Sequence, residues 1–177
     1  MTDSQQERCQ VLCVLGLGSN APFRDLSCPG IIRSAAAELH KTLTGARLSP
    51  LYKAAPLYVT DQPPFMNAAL SGLFSGSAGN LLQVTQKVEA QYGRDRCKER
   101  RWGERSLDID ILLFGDHVIS EDDLVIPHPR LKDRAFALRP LLDLLPEAAD
   151  PGTGKKYSEI LAELASQEIE FFGDYYG

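Results

Sequence analysis

The most constraining stretch of this sequence is Leu107-Asp108-Ile109-Asp110-Ile111-Leu112. Side chains alternate faces along a β-strand. The pattern therefore predicts a strand over Leu107 to Phe114, with Leu107, Ile109 and Ile111 against a core and Asp108 and Asp110 on the opposite face. At strand rise the two aspartate Cα atoms stand about 6.5–7 Å apart. Leu112 and Phe114 are expected to continue the acidic face as apolar neighbours. Two carboxylates beside apolar groups repel one another and are costly to desolvate unless a cation compensates. Hard oxygen donors on a rigid element suit Mg²⁺, which takes one or two carboxylates and completes its shell with water and phosphate. The spacing leaves room for two ions. A short Asp-x-Asp also fits the solvated outer face of an amphipathic strand, and taken alone it favours that plainer reading.

Around this strand the apolar periodicity switches between two and 3.6. Val11 to Leu17 is a short Val- and Leu-rich run ending at Gly18-Ser19-Asn20, which predicts a buried strand and a turn. Residues 30–44 place Ile32, Ala35, Ala36, Leu39 and Leu43 at helical spacing, with Gly45 as a stop. Arg47 to Ala54 reads as a second strand. Phe65 to Phe74 reads as a third, with Ala68, Leu70, Gly72 and Phe74 on one face. Asn80 has the character of an N-cap for a helix running to Tyr92, and Gly93 that of its C-terminal cap. Short helices are expected over Ala135–Leu145 and Tyr157–Ser166. The order strand, helix, strand, strand, helix, strand predicts an α+β, ferredoxin-like β-α-β-β-α-β sandwich with additional C-terminal helices. One domain is expected over residues 1–177, with a loose N-terminus to residue 9, a core over 10–146 and a helical extension from 147.

Charge narrows the function. Ahead of the acidic strand lies Gly93 to Ser106, with six basic residues in fourteen, in a chain of 177 residues whose formal net charge is −5. A polyphosphate needs metal on one side and guanidinium or ammonium groups on the other. A basic loop beside a diacid strand supplies both, and its closure would exclude water. Two alternatives stand beside this one. The loop reads equally as a solvated charge run, since Asp95, Glu99 and Glu104 partly neutralise it. It could also bind RNA through stacking on Trp102, although the acidic balance and the lack of a paired-aromatic motif disfavour that. The polar N-terminus has no apolar signal core and no run approaches membrane-spanning length, so a cytoplasmic enzyme is expected. Cys9, Cys13, Cys28 and Cys97 match no metal or redox spacing and are expected to be free thiols, Cys13 as core filling. His40 and His117 are read as surface residues.

These residues resemble the 6-hydroxymethyl-7,8-dihydropterin pyrophosphokinase family. The likeness starts from Arg101-Trp102-Gly103-Glu104-Arg105-Ser106-Leu107-Asp108-Ile109-Asp110-Ile111-Leu112. It extends, in order, to Gly16-Leu17-Gly18-Ser19-Asn20, to Pro56-Leu57, to Asp61 through Ala69, to Gln86 and Glu89, and to Val125 through Phe136, covering roughly residues 11–146. The resemblance implies transfer of diphosphate from ATP to the hydroxymethyl group of a reduced pterin. It implies two Mg²⁺ ions on Asp108 and Asp110, and a pterin pocket of Pro56, Leu57, Phe65, Asn67 and Phe136, with the ring between Phe65 and Phe136. It implies ATP contacts at Gln86, Glu89, Arg101, Trp102, Arg105, Ile111, His128 and Arg134. Arg94, Arg96 and Arg105 are implied to act on the transferring phosphates. A monomer that acts on small molecules is expected, with no nucleic acid or membrane partner. The remaining enzyme alternative is a metal-dependent phosphohydrolase using the same diacid.

Overall fold

The computed structural model describes residues 10–57, 60–94 and 103–174. Cys9, Arg96, Cys97, Arg101 and Trp102 lie outside the described residues. The chain forms β1 (Gln10–Ser19), α1 (Cys28–His40), β2 (Thr44–Leu48), β3 (Leu51–Ala54), β4 (Phe65–Ser75), α2 (Ala78–Gln91) and β5 (Asp108–Phe114). The short strands β6 (Ile119–Ser120) and β7 (Val125–Ile126) pair with each other, and α3 (Ala135–Leu144), α4 (Tyr157–Glu163) and β8 (Ile169–Gly173) follow. The main sheet runs β5-β1-β4-β3-β8, with β2 also paired to β4. Its pairings are antiparallel. The first seven elements thus give the ferredoxin-like sandwich, with β1 central between β4 and β5.

Two cores sit on opposite faces. Cys13, Leu15, Leu17, Ala68, Leu70, Ile109 and Ile111 face α1 and α2, packing with Ile31, Ile32, Leu39 and Leu81. Val14, Ala69, Leu112 and Leu113 face α3 and α4, packing with Leu138, Leu141 and Tyr157. Sheet faces and helix stripes share these clusters because periods of two and 3.6 each present one apolar side. Cys13 is fully buried, and burial pushes its thiol up to about 12, so it serves as a small hydrophobe. No described helix is long and apolar enough to cross a membrane.

Several expectations are corrected. The second strand is two strands, because Pro50 lacks an amide hydrogen and Ser49 turns its side chain to the sheet. Ser49 Oγ accepts from the Ala69 amide at 2.9 Å. The first helix ends at His40, and Gly45 lies inside β2 at φ +63°, where the register with β4 slips. Leu43 keeps the apolar spacing but reaches the core from beyond the helix end. The cap of α2 is Ser77, not Asn80. Ser77 Oγ accepts from the Asn80 amide and Asn80 Oδ1 accepts from the Ser77 amide, both at 3.1 Å, a reciprocal capping box. Gly93 does follow the helix at φ +83°. In β5 the register against β1 shifts after Ile111, so Leu112 and Leu113 both join the α3 side and Phe114 turns into the α1–α2 core. Phe114 therefore does not share the acidic face, because a bulge inverts the alternation beyond it. The C-terminal extension carries α4 but ends in a strand. β8 is held by β3 through a Tyr52–Phe171 edge contact of 6.0 Å and a Lys53–Glu170 pair at 3.6 Å.

Candidate active site

Three strands build the floor of a cleft on the α3 face. Gly18 of β1 pairs with Asn67 of β4 on one side and Asp108 of β5 on the other. Two residues along, Gly16 pairs with Ala69 and Asp110. The glycines leave the middle strand without side chains between the amide and the carboxylates. A Cβ on Gly18 would stand 3.6 Å from Asn67 Oδ1 and 4.0 Å from both Asp108 Cβ and the Phe65 ring. The open space is thus a direct product of strand register and two glycines.

The cleft is open to solvent, and the empty space in and over it, out into solvent, amounts to about 830 Å³. Pro56, Leu57, Phe65, Asn67 and Phe136 line it together with Arg105, Asp108, Asp110 and Arg134. All five residues expected at the pterin and both aspartates therefore meet in one place, although they come from four separate segments. Asn67 is 5% exposed and donates through Nδ2 to the Phe65 carbonyl at 3.2 Å. The Arg134 guanidinium stands 5.6 Å from the Phe136 ring centre.

The carboxylates are held by cations. Asp108 accepts from Arg94 at 2.6 Å and from Arg105 at 2.8 Å. Burial alone would raise its carboxyl, but the charges and hydrogen bonds of these two guanidiniums outweigh it and hold Asp108 below the usual carboxylate range. Asp110 accepts from Arg134 at 3.2 Å. Burial and the neighbouring Asp108 charge push its carboxyl up to about 7, against the pull of Arg134. The His128 Nε2 lies 3.6 Å from Asp110 Oδ2, while its Nδ1 accepts from the Arg130 amide at 3.1 Å. That bond leaves the proton on Nε2. Burial and the Arg134 charge lower His128 to about 4, so the ring is neutral.

The two carboxylates fit a hard cation. An acid forced up by its neighbour's charge is relieved when a divalent ion binds. Among the described residues no group of three or more His, Cys, Asp or Glu forms a metal cluster. A two-carboxylate set suits Mg²⁺, whose other ligands are water and phosphate, better than Zn²⁺. Both Asp108 oxygens and Asp110 Oδ2 retain a second lone pair beside their guanidiniums.

Other expected residues lie elsewhere. Gln86 and Glu89 do not share a wet helix face. Gln86 is exposed, whereas Glu89 is 1% exposed, with Oε1 accepting the Ile109 amide at 2.8 Å and the Arg94 guanidinium. That amide points off the free edge of β5, so the acid docks α2 against it. Arg94 folds back onto Glu89 and Asp108 at the start of the basic loop. The Ile111 side chain is in the α1–α2 core and does not line the cleft. Reading the sequence for charge and aromatic character missed Gly16, Gly18, Gln62 and Gly103 as cleft-lining residues. The one signal for the glycines was their spacing of two in a strand.

The family model described as 7,8-dihydro-6-hydroxymethylpterin-pyrophosphokinase matches residues 14–146. The chain is 38% identical over 159 residues to the 2-amino-4-hydroxy-6-hydroxymethyldihydropteridine pyrophosphokinase of Pseudomonas aeruginosa, covering 88% of this chain and 93% of that one. It is 48% identical over 99 residues to a folate synthesis bifunctional protein of Arabidopsis thaliana, covering 56% of this chain and spanning only 20% of that protein's length. The crystal structure of wild-type Plasmodium falciparum HPPK-DHPS shares the fold with a TM-score of 0.72 at 16% identity, over 92% of this chain and 46% of that one.

Proposed function

Because the chain belongs to the 7,8-dihydro-6-hydroxymethylpterin-pyrophosphokinase family, we propose that it moves the β,γ-diphosphate of ATP onto the hydroxymethyl group of 6-hydroxymethyl-7,8-dihydropterin, releasing AMP, in folate biosynthesis. The observation that carries this reading is the row Asn67–Gly18–Asp108 across three strands, with Phe65 and Phe136 in the same cleft. A flat heterocycle with polar edges suits two aromatic faces and an amide that both donates and accepts. Pro56 and Leu57 close its outer side. The same floor carries the acidic pair, so a group bound at the ring end has its hydroxymethyl arm beside the phosphate end.

The pterin hydroxyl oxygen attacks the β-phosphorus in line, a new O–P bond forms, the bond from the β-phosphorus to the AMP oxygen breaks, and the hydroxyl proton is released to water. Asp108 and Asp110 would hold two Mg²⁺ ions, which when bound neutralise phosphate charge and lower the pKa of the attacking hydroxyl. Arg105 and Arg134 flank the carboxylates and present guanidinium N–H groups to phosphate oxygens. The Arg134 Nε has no acceptor among the described residues, a donor that a phosphate oxygen would satisfy. Neutral His128 offers its Nε2 proton on the nucleotide side. The exposed Gln86 of α2 and the main chain at Ile111 complete the nucleotide contacts in this reading, and Glu89 acts on them by holding β5 and Arg94. Arg94 is positioned to exchange Asp108 for a phosphate oxygen, and in this reading the family likeness assigns Arg96, Arg101 and Trp102 of the basic loop to the phosphates and nucleotide as well.

The test is chromatographic detection of AMP from ATP with and without the pterin and Mg²⁺. AMP formation should require all three. AMP release without pterin would instead mark a phosphohydrolase. Asp110→Ala should abolish metal-dependent turnover while pterin binding persists, and unchanged turnover would refute the metal assignment.

A further inference from the structure

Asn20 sits just past β1, touches neither aspartate, and is 2% exposed. Its side chain bridges two segments that are far apart in sequence. Oδ1 accepts from the Arg105 amide at 2.7 Å. Nδ2 donates to Gln62 Oε1 and to the Pro63 carbonyl, both at 3.2 Å. The Arg105 carbonyl in turn accepts from the Asn20 and Ala21 amides at 3.0 and 3.1 Å. The side chain's orientation is dictated by its partners. A main-chain amide can only donate and a proline carbonyl can only accept, so one end must be oxygen and the other nitrogen. Only a short primary amide meets both demands at this reach. Aspartate lacks the donor, and serine has one polar atom.

We propose that Asn20 is a positioning residue that sets the separation between the two walls of the cleft. One wall is the Gln62–Pro63 segment, which leads directly into Phe65 and Asn67. The other is the segment from Gly103 to Arg105, which leads into Asp108 and carries the guanidinium bonded to it. This rests on the transfer reading above, in which one wall holds the ring and the other the phosphates. In-line transfer depends on the distance between two separately bound substrates, and displacement by about 1 Å costs on the order of a hundredfold in rate. A residue that joins the walls therefore acts on the chemical step and on the pterin wall it tethers, whereas the phosphate wall, which runs into β5, still binds its own substrate.

The experiment uses Asn20→Asp in the full chain. That variant keeps the acceptor for the Arg105 amide and sets a carboxylate against the Pro63 carbonyl. Turnover should fall by roughly ten- to a hundredfold. The Kd for the pterin should rise about tenfold, while the Kd for a non-hydrolysable ATP analogue stays within about twofold. Hydrogen exchange followed by mass spectrometry should show faster exchange in a peptide spanning residues 60–69, with the peptide of β5 unchanged. Should Asn20→Asp not fold, Asn20→Ser removes the clamp without the charge, and exchange should then rise at both walls. Pterin affinity, turnover and exchange that match the parent protein would overturn the proposal. So would equal losses of pterin and nucleotide affinity that follow a drop in Tm. The exchange result needs no substrate, so failure of the parent protein to form AMP would sink the activity reading without touching the clamp.

Discussion

Glu89 offers the sharpest test of how the acidic strand is held. It is 1% exposed, and its Oε1 serves the Ile109 amide at 2.8 Å and the Arg94 guanidinium. Replacing it with alanine leaves a buried edge amide without that acceptor, at about 1–3 kcal/mol. It also takes one partner from Arg94, whose side chain is only 10% exposed. Removing one member of a buried pair costs about 3–5 kcal/mol. Arg94 keeps Asp108 at 2.6 Å, so the lower end applies. The expected total for Glu89→Ala is about 4–6 kcal/mol, or roughly 8–24 °C in Tm for a chain of this size. Glu89→Gln keeps an acceptor oxygen for Ile109 and loses only the charge, so it should cost about 1–1.5 kcal/mol. Urea denaturation of both variants near pH 8 measures the pair. An alanine variant within about 1 kcal/mol of the parent, or a glutamine variant as costly as alanine, would refute the account of α2 docking to β5 through this acid.

Three further outcomes follow from the geometry. The Asp110 carboxyl is raised to about 7, so its contribution to stability is full below the ordinary carboxylate range and is lost as pH rises through 7. Mg²⁺ should therefore raise Tm more near pH 8 than near pH 5.5, and equal gains by scanning calorimetry would contradict the shift. Gly18→Val should push methyl groups over the floor between Asn67 and Asp108 and weaken pterin binding at least about tenfold with little change in Tm, whereas an unaltered pterin titration would exclude Gly18 from the floor. Gly72→Ala would bring a Cβ to 2.8 Å from Leu43 Cβ and 3.3 Å from Ala46 Cα, remote from the cleft. It should cost about 1–3 kcal/mol by urea denaturation without altering the KM for either substrate.

The features legible from residues alone were those governed by local periodicity. Alternation placed Ile109 and Ile111 in one core and both aspartates opposite them, and helical spacing located α1 and α2, because side-chain direction over a few residues follows from backbone geometry. The likeness across several segments, rather than any one residue, brought Phe65, Asn67 and Phe136 into one expected pocket. What stayed hidden depended on what a distant segment offers. Phe114 obeys the alternation until the pairing with β1 slips at Leu112, and nothing in its neighbours signals that bulge. The run Ile169–Gly173 becomes a strand only because β3 presents a free edge. Glu89 looks like a surface acid until the unpaired amide of Ile109 arrives above it, and Asn20 reads only as the last residue of a turn until Arg105 and Pro63 reach its two ends. Hydrogen-bond groups must find partners wherever they are buried, and which partner is within reach is a property of the folded chain in three dimensions.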